Sequence, residues 1–233
     1  MKLMKMAIPK LWAVIPAAGS GKRFSTTQLK QYQQLCDKTV LQHSVNALYQ
    51  LPLAGCVISI STEDRIAKQL VFDHPVQFCL GGQERMDSVL AGLNHLRDYA
   101  ADDDYVLVHD AARPCLHQTQ IQYIIEFCHK DEVAGIIAVP VRDTLKYAEK
   151  HQYIAHTVDR ENLWQAQTPQ IVKYAVLRSA LEKAQQKQIV VTDEASALEV
   201  LGIAIKLIPG RSDNIKITYA EDLQLAKLIL QSF

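Results

Sequence analysis

Leu11-Trp12-Ala13-Val14-Ile15-Pro16 runs without a break into Ala17-Ala18-Gly19-Ser20-Gly21-Lys22-Arg23. The first half is apolar throughout and closes on a proline, the pattern of a strand covered on both faces in a parallel sheet. The second half is small and then cationic. Small residues let backbone N–H groups approach an anion, and the carboxyl end of a strand is where open α/β sheets bind ligands. Two familiar phosphate loops fail on spacing. A P-loop needs a glycine six positions before its lysine and Ser or Thr after it, but Pro16 precedes Lys22 by six and Arg23 follows. A dinucleotide fingerprint needs a third glycine, and Phe24 stands at that position. What remains is a G-x-G turn with two cations, Arg23 and, seven residues on, Lys30. They favour a phosphate ligand, because a triphosphate holding one Mg²⁺ is still an anion that cationic side chains must meet.

Outward from that turn, β-branched apolar runs alternate with helix-period segments. CVISIS from Cys56, VQFCL from Val76, YVLVHD from Tyr105 and AGIIAVP from Ala134 read as further strands. Val40, Leu41, Val45 and Leu48 recur at helical spacing, as do Val89, Leu90, Leu93 and Leu96, giving helices with one stripe against the sheet. From Val141 to Arg160 the helical stripe is gone and polar residues alternate with Tyr147, Ile154 and Val158, so 141–160 reads as a projecting hairpin arm. Helices are expected from Tyr174 to Gln186, from Asp193 to Leu201 and from Glu221 onward, with strands at AIKLIP and NIKIT. The fold class is therefore α/β: a single Rossmann-like domain, 1–233, with a mostly parallel sheet flanked by helices and an arm at 141–160.

Composition narrows the function. With 233 residues, 48% of them apolar, one α/β core suffices. Lys plus Arg equals Asp plus Glu at 25 each, so there is no cationic field for a nucleic acid partner. Five cysteines, odd in number and never spaced C-x-x-C, point to reduced thiols and a cytoplasmic protein. MKLMKMAIPK mixes lysines into its apolar residues unlike a signal peptide, and no apolar run is long enough to span a membrane. The eight histidines show no H-x-x-x-H pair and are read as non-catalytic. His109-Asp110 closes the fourth strand; by itself Asp110 is either an acid facing the ligand crevice or a surface cap.

Seven further segments follow in order: GGQERMDSVLAGL from Gly81, VLVHDAARPC from Val106, PVRDTLK from Pro140, AHTVDR from Ala155, QTPQ from Gln167, VTDEASALE from Val191 and GRSDNIKIT from Gly210. With AAGSGKR and LKQY, they resemble, nearly end to end, the nucleoside triphosphate transferases that activate sugars and polyols, in particular the methylerythritol phosphate cytidylyltransferase family. The resemblance implies a CTP site at Ala17, Ala18, Gly19, Gly21, Arg23, Lys30, Gly82, Gln83, Arg85, Ser88, Asp110 and Ala111. It implies an acceptor site for a polyol phosphate at Asp110, Thr144, Arg160, Thr168, Thr192 and Lys216. Mg²⁺ is expected at Asp110 with Asp213, and a homodimer in which the arm of one subunit brings Arg160 to the other. Two positions depart from the family's usual pattern: Gln83, where an acidic residue is common, and Leu29, where proline commonly precedes the lysine.

The chemistry implied needs no activated nucleophile. An acceptor phosphate oxygen is already anionic, so catalysis reduces to alignment on the α-phosphorus and stabilisation of shifting charge. Arg23, Lys30, Arg160 and Lys216 are the expected catalytic cations. A ribitol 5-phosphate cytidylyltransferase and a non-catalytic nucleotide sensor are the alternatives, separable by assay of pyrophosphate release.

Overall fold

A computed structural model of the chain describes residues 9–19, 24, 29–149 and 152–233. Its elements are β1 (Leu11–Pro16), β2 (Gln34–Leu35), β3 (Lys38–Thr39), α1 (Val40–Leu48), β4 (Leu53–Ile60), β5 (Gln77–Leu80), α2 (Arg85–His95), β6 (Tyr105–Val108), α3 (Gln118–His129), β7 (Ala134–Pro140), β8 (Leu145–Ala148), β9 (Ile154–Val158), β10 (Trp164–Lys173), α4 (Tyr174–Gln186), α5 (Glu194–Glu199), β11 (Lys206–Pro209) and α6 (Asp222–Leu230). A seven-stranded sheet runs β11-β7-β10-β6-β1-β4-β5. β1 pairs parallel with β4 and β6, β4 with β5 and β11 with β7, while β10 is antiparallel to both its neighbours.

The strand alternation of β1 sorts its side chains into two cores. Ala13 and Ile15 pack with Leu41, Val45 and Leu48 of α1 and Ile121, Ile124 and Phe127 of α3. Trp12 and Val14 pack on the other face with Val89, Leu90 and Leu93 of α2 and Leu177 and Leu181 of α4. The helices are started by short polar caps: Thr39 Oγ1 accepts from Gln42 N at the head of α1, and Asp193 does the same for Ser196 N at α5. α2 lies close on the sheet because Gly92 faces Val14; a Cβ there would sit 2.6 Å from Val14 Cγ1. Ser59 Oγ on β4 also donates to Ser88 O at 2.7 Å, so the first turns of α2 are pinned to the strand ends.

Three features differ from what the sequence pattern suggests. NIKIT is not a strand. It is a loop whose Ile217 N donates to Ala112 O at 2.8 Å and whose Ile217 side chain is buried beside Leu35, Val40 and Ala226. The apolar alternation there serves one buried contact rather than a ladder, and Lys216 is a loop residue. β10 is long and central although its sequence, WQAQTPQIVK, is polar in its first half and interrupted by Pro169. The Thr168–Pro169 bond is cis, and the pairing of β10 with β7 shifts register between Ala166 and Gln170. α3, not anticipated above, buries Ile121, Ile124 and Phe127, with Ile125 and Cys128 partly buried beside them. The arm region forms its own two-stranded antiparallel sheet, Leu145 opposite Val158, with both strands exposed on almost every side chain.

Candidate active site

Three strand ends and one loop converge. At the end of β1, Ala17 N donates to Ser59 O at 2.8 Å, which carries the turn Ala17–Gly19 across the mouth of β4. At the end of β5, Gly81 N donates to Ile60 O at 2.8 Å, and the chain turns into α2. Here the backbone needs glycine for closeness: a Cβ on Gly81 would lie 2.8 Å from Ala18 Cβ, and one on Gly82 would lie 2.3 Å from Asp87 Cβ. Beyond β6, His109 N still bonds Val14 O at 3.0 Å, so Asp110 emerges two residues past the strand on a backbone held by β1. The single turn Lys30–Tyr32 is tied in by Gln31, whose Nε2 donates to Ala17 O at 3.0 Å. The Lys30 ammonium donates to Ile217 O at 2.7 Å, linking it to the loop that carries Lys216.

Between these parts lies a cleft of about 220 Å³. Of the residues expected at CTP, Ala17, Ala18, Gly19, Lys30, Gln83, Arg85, Ser88, Asp110 and Ala111 line it, together with Lys216. Gly82 stands next to the lining, and Gly21 and Arg23 lie outside the described residues. A second cleft, about 480 Å³, shares Lys216 and is walled by Arg113, Arg142, Gln167, Asn214 and Thr218.

Charge is concentrated on one carboxylate. Asp110, 7% exposed, meets Lys216 Nζ at 2.9 Å, Arg85 Nε at 3.6 Å and Arg113 Nε at 3.6 Å. Burial by itself would raise its pKa, but those three cations outweigh the effect and hold it well below the usual carboxylate range. Arg85 is itself gripped by Glu194, with Nη1–Oε1 2.6 Å and Nη2–Oε2 3.0 Å. Burial opposes the arginine's charge, and Glu194, Asp110 and Asp193 together more than offset that, raising its pKa. Arg113 shows the reverse balance: burial lowers its pKa despite Asp110.

The remaining expected residues scatter. Thr168 is buried, its Oγ1 accepting from Asp110 N at 3.0 Å, and it lines neither cleft. Thr192 is not the cap of α5, as its position before Asp-Glu suggests; the helix begins one residue later, at Glu194, and Asp193 Oδ1 accepts from Ser196 N at 3.0 Å. Thr192 lies instead beside Arg85 and Glu194 at a small hollow. Asp213 does not join Asp110: its carboxylate is taken by Arg211 at 2.5 Å, and it lines neither cleft. Thr144 and Arg160 are exposed at the arm, and the Arg160 guanidinium donates to Arg142 O. Glu194, Gln167, Asn214 and Arg142 were not singled out from sequence. For Glu194 a signal existed, an acid in the first turn of a predicted helix, but nothing in spacing names Arg85 as its partner.

Among the described residues no three His, Cys, Asp or Glu side chains group as a metal cage. Among the described residues Asp110 and Glu84 are the carboxylates that line the first cleft, beside the small-residue turn. That donor set suits Mg²⁺, which keeps its waters and is held by one or two carboxylates plus substrate phosphates. It does not suit a metal bound by protein alone.

The family model described as 2-C-methyl-D-erythritol 4-phosphate cytidylyltransferase matches residues 11–232. The protein of that name from Acinetobacter baumannii (strain ATCC 17978) is 54% identical over 225 residues, covering 96% of this chain and 94% of its own. A crystal structure of 4-diphosphocytidyl-2C-methyl-D-erythritol synthase superposes with a TM-score of 0.82 at 38% identity, over 95% of this chain and 99% of that one. The Francisella tularensis 2-C-methyl-D-erythritol 4-phosphate cytidylyltransferase gives 0.81 at 34%, over 94% and 99%.

Proposed function

Given that the chain belongs to the 2-C-methyl-D-erythritol 4-phosphate cytidylyltransferase family, we propose that the cleft between the ends of β1, β5 and β6 is where it carries out its reaction. The enzyme transfers the cytidylyl group of CTP to methylerythritol phosphate and releases pyrophosphate. The observation that carries the assignment is the meeting of Lys30, Lys216 and Asp110 around one small-residue turn, although they are distant in sequence.

An anionic oxygen of the acceptor phosphate attacks the α-phosphorus of CTP. The bond from that phosphorus to the bridging oxygen breaks, and its electrons leave with pyrophosphate. No proton need be removed, which agrees with a cleft furnished with cations and backbone amides rather than a base. Lys30, with Arg23, receives charge on the triphosphate; Lys216, bordering both clefts, aims the acceptor phosphate. Gln83, Gly82 and Ser88 face the base, whose exocyclic amine needs an acceptor because an unpaired buried donor costs about 1–3 kcal/mol. Asp110 would hold Mg²⁺, which supplies a Lewis-acid clamp on the phosphates when bound. The second cleft, with Arg113, Arg142 and Gln167, suits the polyol phosphate.

We read 1–233 as one transferase domain whose arm, 141–160, packs on a second copy, with Thr144 and Arg160 serving the partner's acceptor site. Support comes from the arm's exposed Tyr147, Tyr153 and Ile154 and from the absence of Arg160 from this chain's clefts. A cytoplasmic setting suits its five unpaired cysteines, and no helix among the described residues is long and apolar enough to cross a membrane.

Pyrophosphate release with CTP, Mg²⁺ and either methylerythritol phosphate or ribitol 5-phosphate tests the reading; turnover confined to the second acceptor, or none with either, would refute it. Mixing Lys30→Ala and Arg160→Ala proteins tests the shared site. About a quarter of wild-type activity should return, since half the dimers are mixed and each of those has one intact site. No recovery would mean each site is built from one chain.

A further inference from the structure

The Asp110 carboxylate is aimed by its ion pairs, and its backbone is held by a buried hydrogen-bond ring that shares only Arg113 with them. Asp110 N donates to Thr168 Oγ1 at 3.0 Å, and the same oxygen lies 3.0 Å from His109 Nδ1. His109 Nε2 lies 2.8 Å from Arg113 O, and Arg113 Nη1 donates to Asn214 O at 2.5 Å. Asn214 Nδ2 closes the ring by donating to Thr168 O at 3.0 Å. His109 and Asn214 are fully buried, and Thr168 is 5% exposed.

Chemistry fixes the direction of every bond in that ring. A carbonyl only accepts, so His109 Nε2 must carry the hydrogen that reaches Arg113 O. A backbone N–H only donates, so Thr168 Oγ1 accepts from Asp110 and has its own hydrogen to give. In a neutral ring with Nε2 protonated, Nδ1 has the lone pair that takes it. The His109 ring is fully buried and its two partners are a carbonyl and a hydroxyl, so no carboxylate bonds a charged form and the neutral one is kept.

We infer that His109, as its Nε2–H tautomer, is a positioning residue for the transfer: through Thr168 it fixes the backbone of Asp110, and through the Arg113 carbonyl it fixes the other end of the same turn. Thr168 is on this account a relay and not a contact to the acceptor. The inference rests on the reading that Asp110 belongs to the nucleotide site. His109 touches no substrate.

The test has two arms. In wild-type protein labelled with ¹⁵N-histidine, a long-range ¹H–¹⁵N spectrum at pH 7, assigned by the signals lost in His109→Gln, should show His109 Nδ1 unprotonated and Nε2 protonated. A protonated Nδ1 would overturn the inference independently of any activity measurement. In the second arm, Thr168→Val should shift the Nδ1 resonance and lower kcat by roughly 10- to 100-fold, since a small displacement of a site group costs on that order, while KM for the acceptor moves little. Thr168→Ser, which keeps the hydroxyl, should restore both. Unchanged kcat in Thr168→Val, or a rise confined to the acceptor KM, would refute the relay. Wild-type protein inactive with CTP and methylerythritol phosphate would instead sink the assigned reaction, and the tautomer would remain readable.

Discussion

At the carboxyl ends of β1, β5 and β6 the site residues stand on elements packed against the core, whereas on the arm Thr144 and Arg160 flank two strands exposed on almost every side chain. Val14, Val57 and Val108, just behind the cleft, are 0% exposed. On the arm, Tyr147 is 53% exposed, Ile154 63% and Tyr153 78%. A lone two-stranded hairpin is at best marginally stable in water, and clustered exposed apolar side chains invite a cover. The cleft is thus backed by the chain's own buried core, while the arm's two strands have almost none of that core behind them.

The largest test of that contrast removes a cation from the core-backed side. Lys30→Ala should lower kcat by roughly 10²- to 10³-fold, the loss typical of one preorganised charge-stabilising group, in a pyrophosphate-release assay. Near-normal turnover would separate Lys30 from the chemistry and make the cleft's order irrelevant to it.

Titration offers the next. His109 has a folded pKa of about 4 against an ordinary 6.5, so between those values the unfolded chain binds the extra proton. Stability is therefore full above pH 6.5 and erodes by about 3 kcal/mol as pH falls to 4, at 1.36 kcal/mol per pKa unit. Urea unfolding across that range should show the slope, and His109→Gln should flatten it. Asp110 contributes in the same direction but lower on the pH scale. Its depressed pKa adds stability above about pH 3.9, and that is lost only as pH falls below this.

Glu194→Gln should come third. Removing one member of a buried pair strands the other, but the Arg85 side chain keeps 27% exposure and so a route to water. We expect a loss of about 2–3 kcal/mol in urea unfolding, below the range for a wholly buried pair. A change within about 0.5 kcal/mol would mean that the pair is solvated and that α5 does not brace the cleft.

The smallest effect belongs to the arm. Ile154→Ser should leave chain stability within about 0.5 kcal/mol, as exposed substitutions do, yet shift sedimentation toward monomer. Losing the fold instead would show that the arm is part of the core after all.

Legibility followed the same division. β1, β7, α1 and α4 could be read closely because the strands are unbroken apolar runs and the helices repeat apolar residues at period 3.6, each ending at a clear break. β10 could not, since Gln165, Gln167 and Gln170 disguise a strand whose polar side chains are spent on site contacts: Gln167 Nε2 donates to Arg211 O, and Gln170 Nε2 to Asp193. The stretch NIKIT misled in the other direction, alternating like a strand while joining no ladder: Ile217 N bonds Ala112 O in a turn, and Asn214 reaches β10 through its side chain. Thr168 and Thr192 matched acceptor-binding motifs, but a threonine's motif does not say whether its hydroxyl is bonded inward.

From its sequence alone the chain was committed to an α/β sheet with a small-residue anion turn after its first strand, because burying apolar faces at fixed periods is a local requirement written residue by residue. Its motifs, in order, also carried its family. Tertiary structure decided which charges meet: Lys216 with Asp110, Arg85 with Glu194 across 109 residues, Lys30 with the loop 187 residues on. Coulomb attraction and hydrogen bonding depend on distance through space, and no interval along the chain encodes that distance.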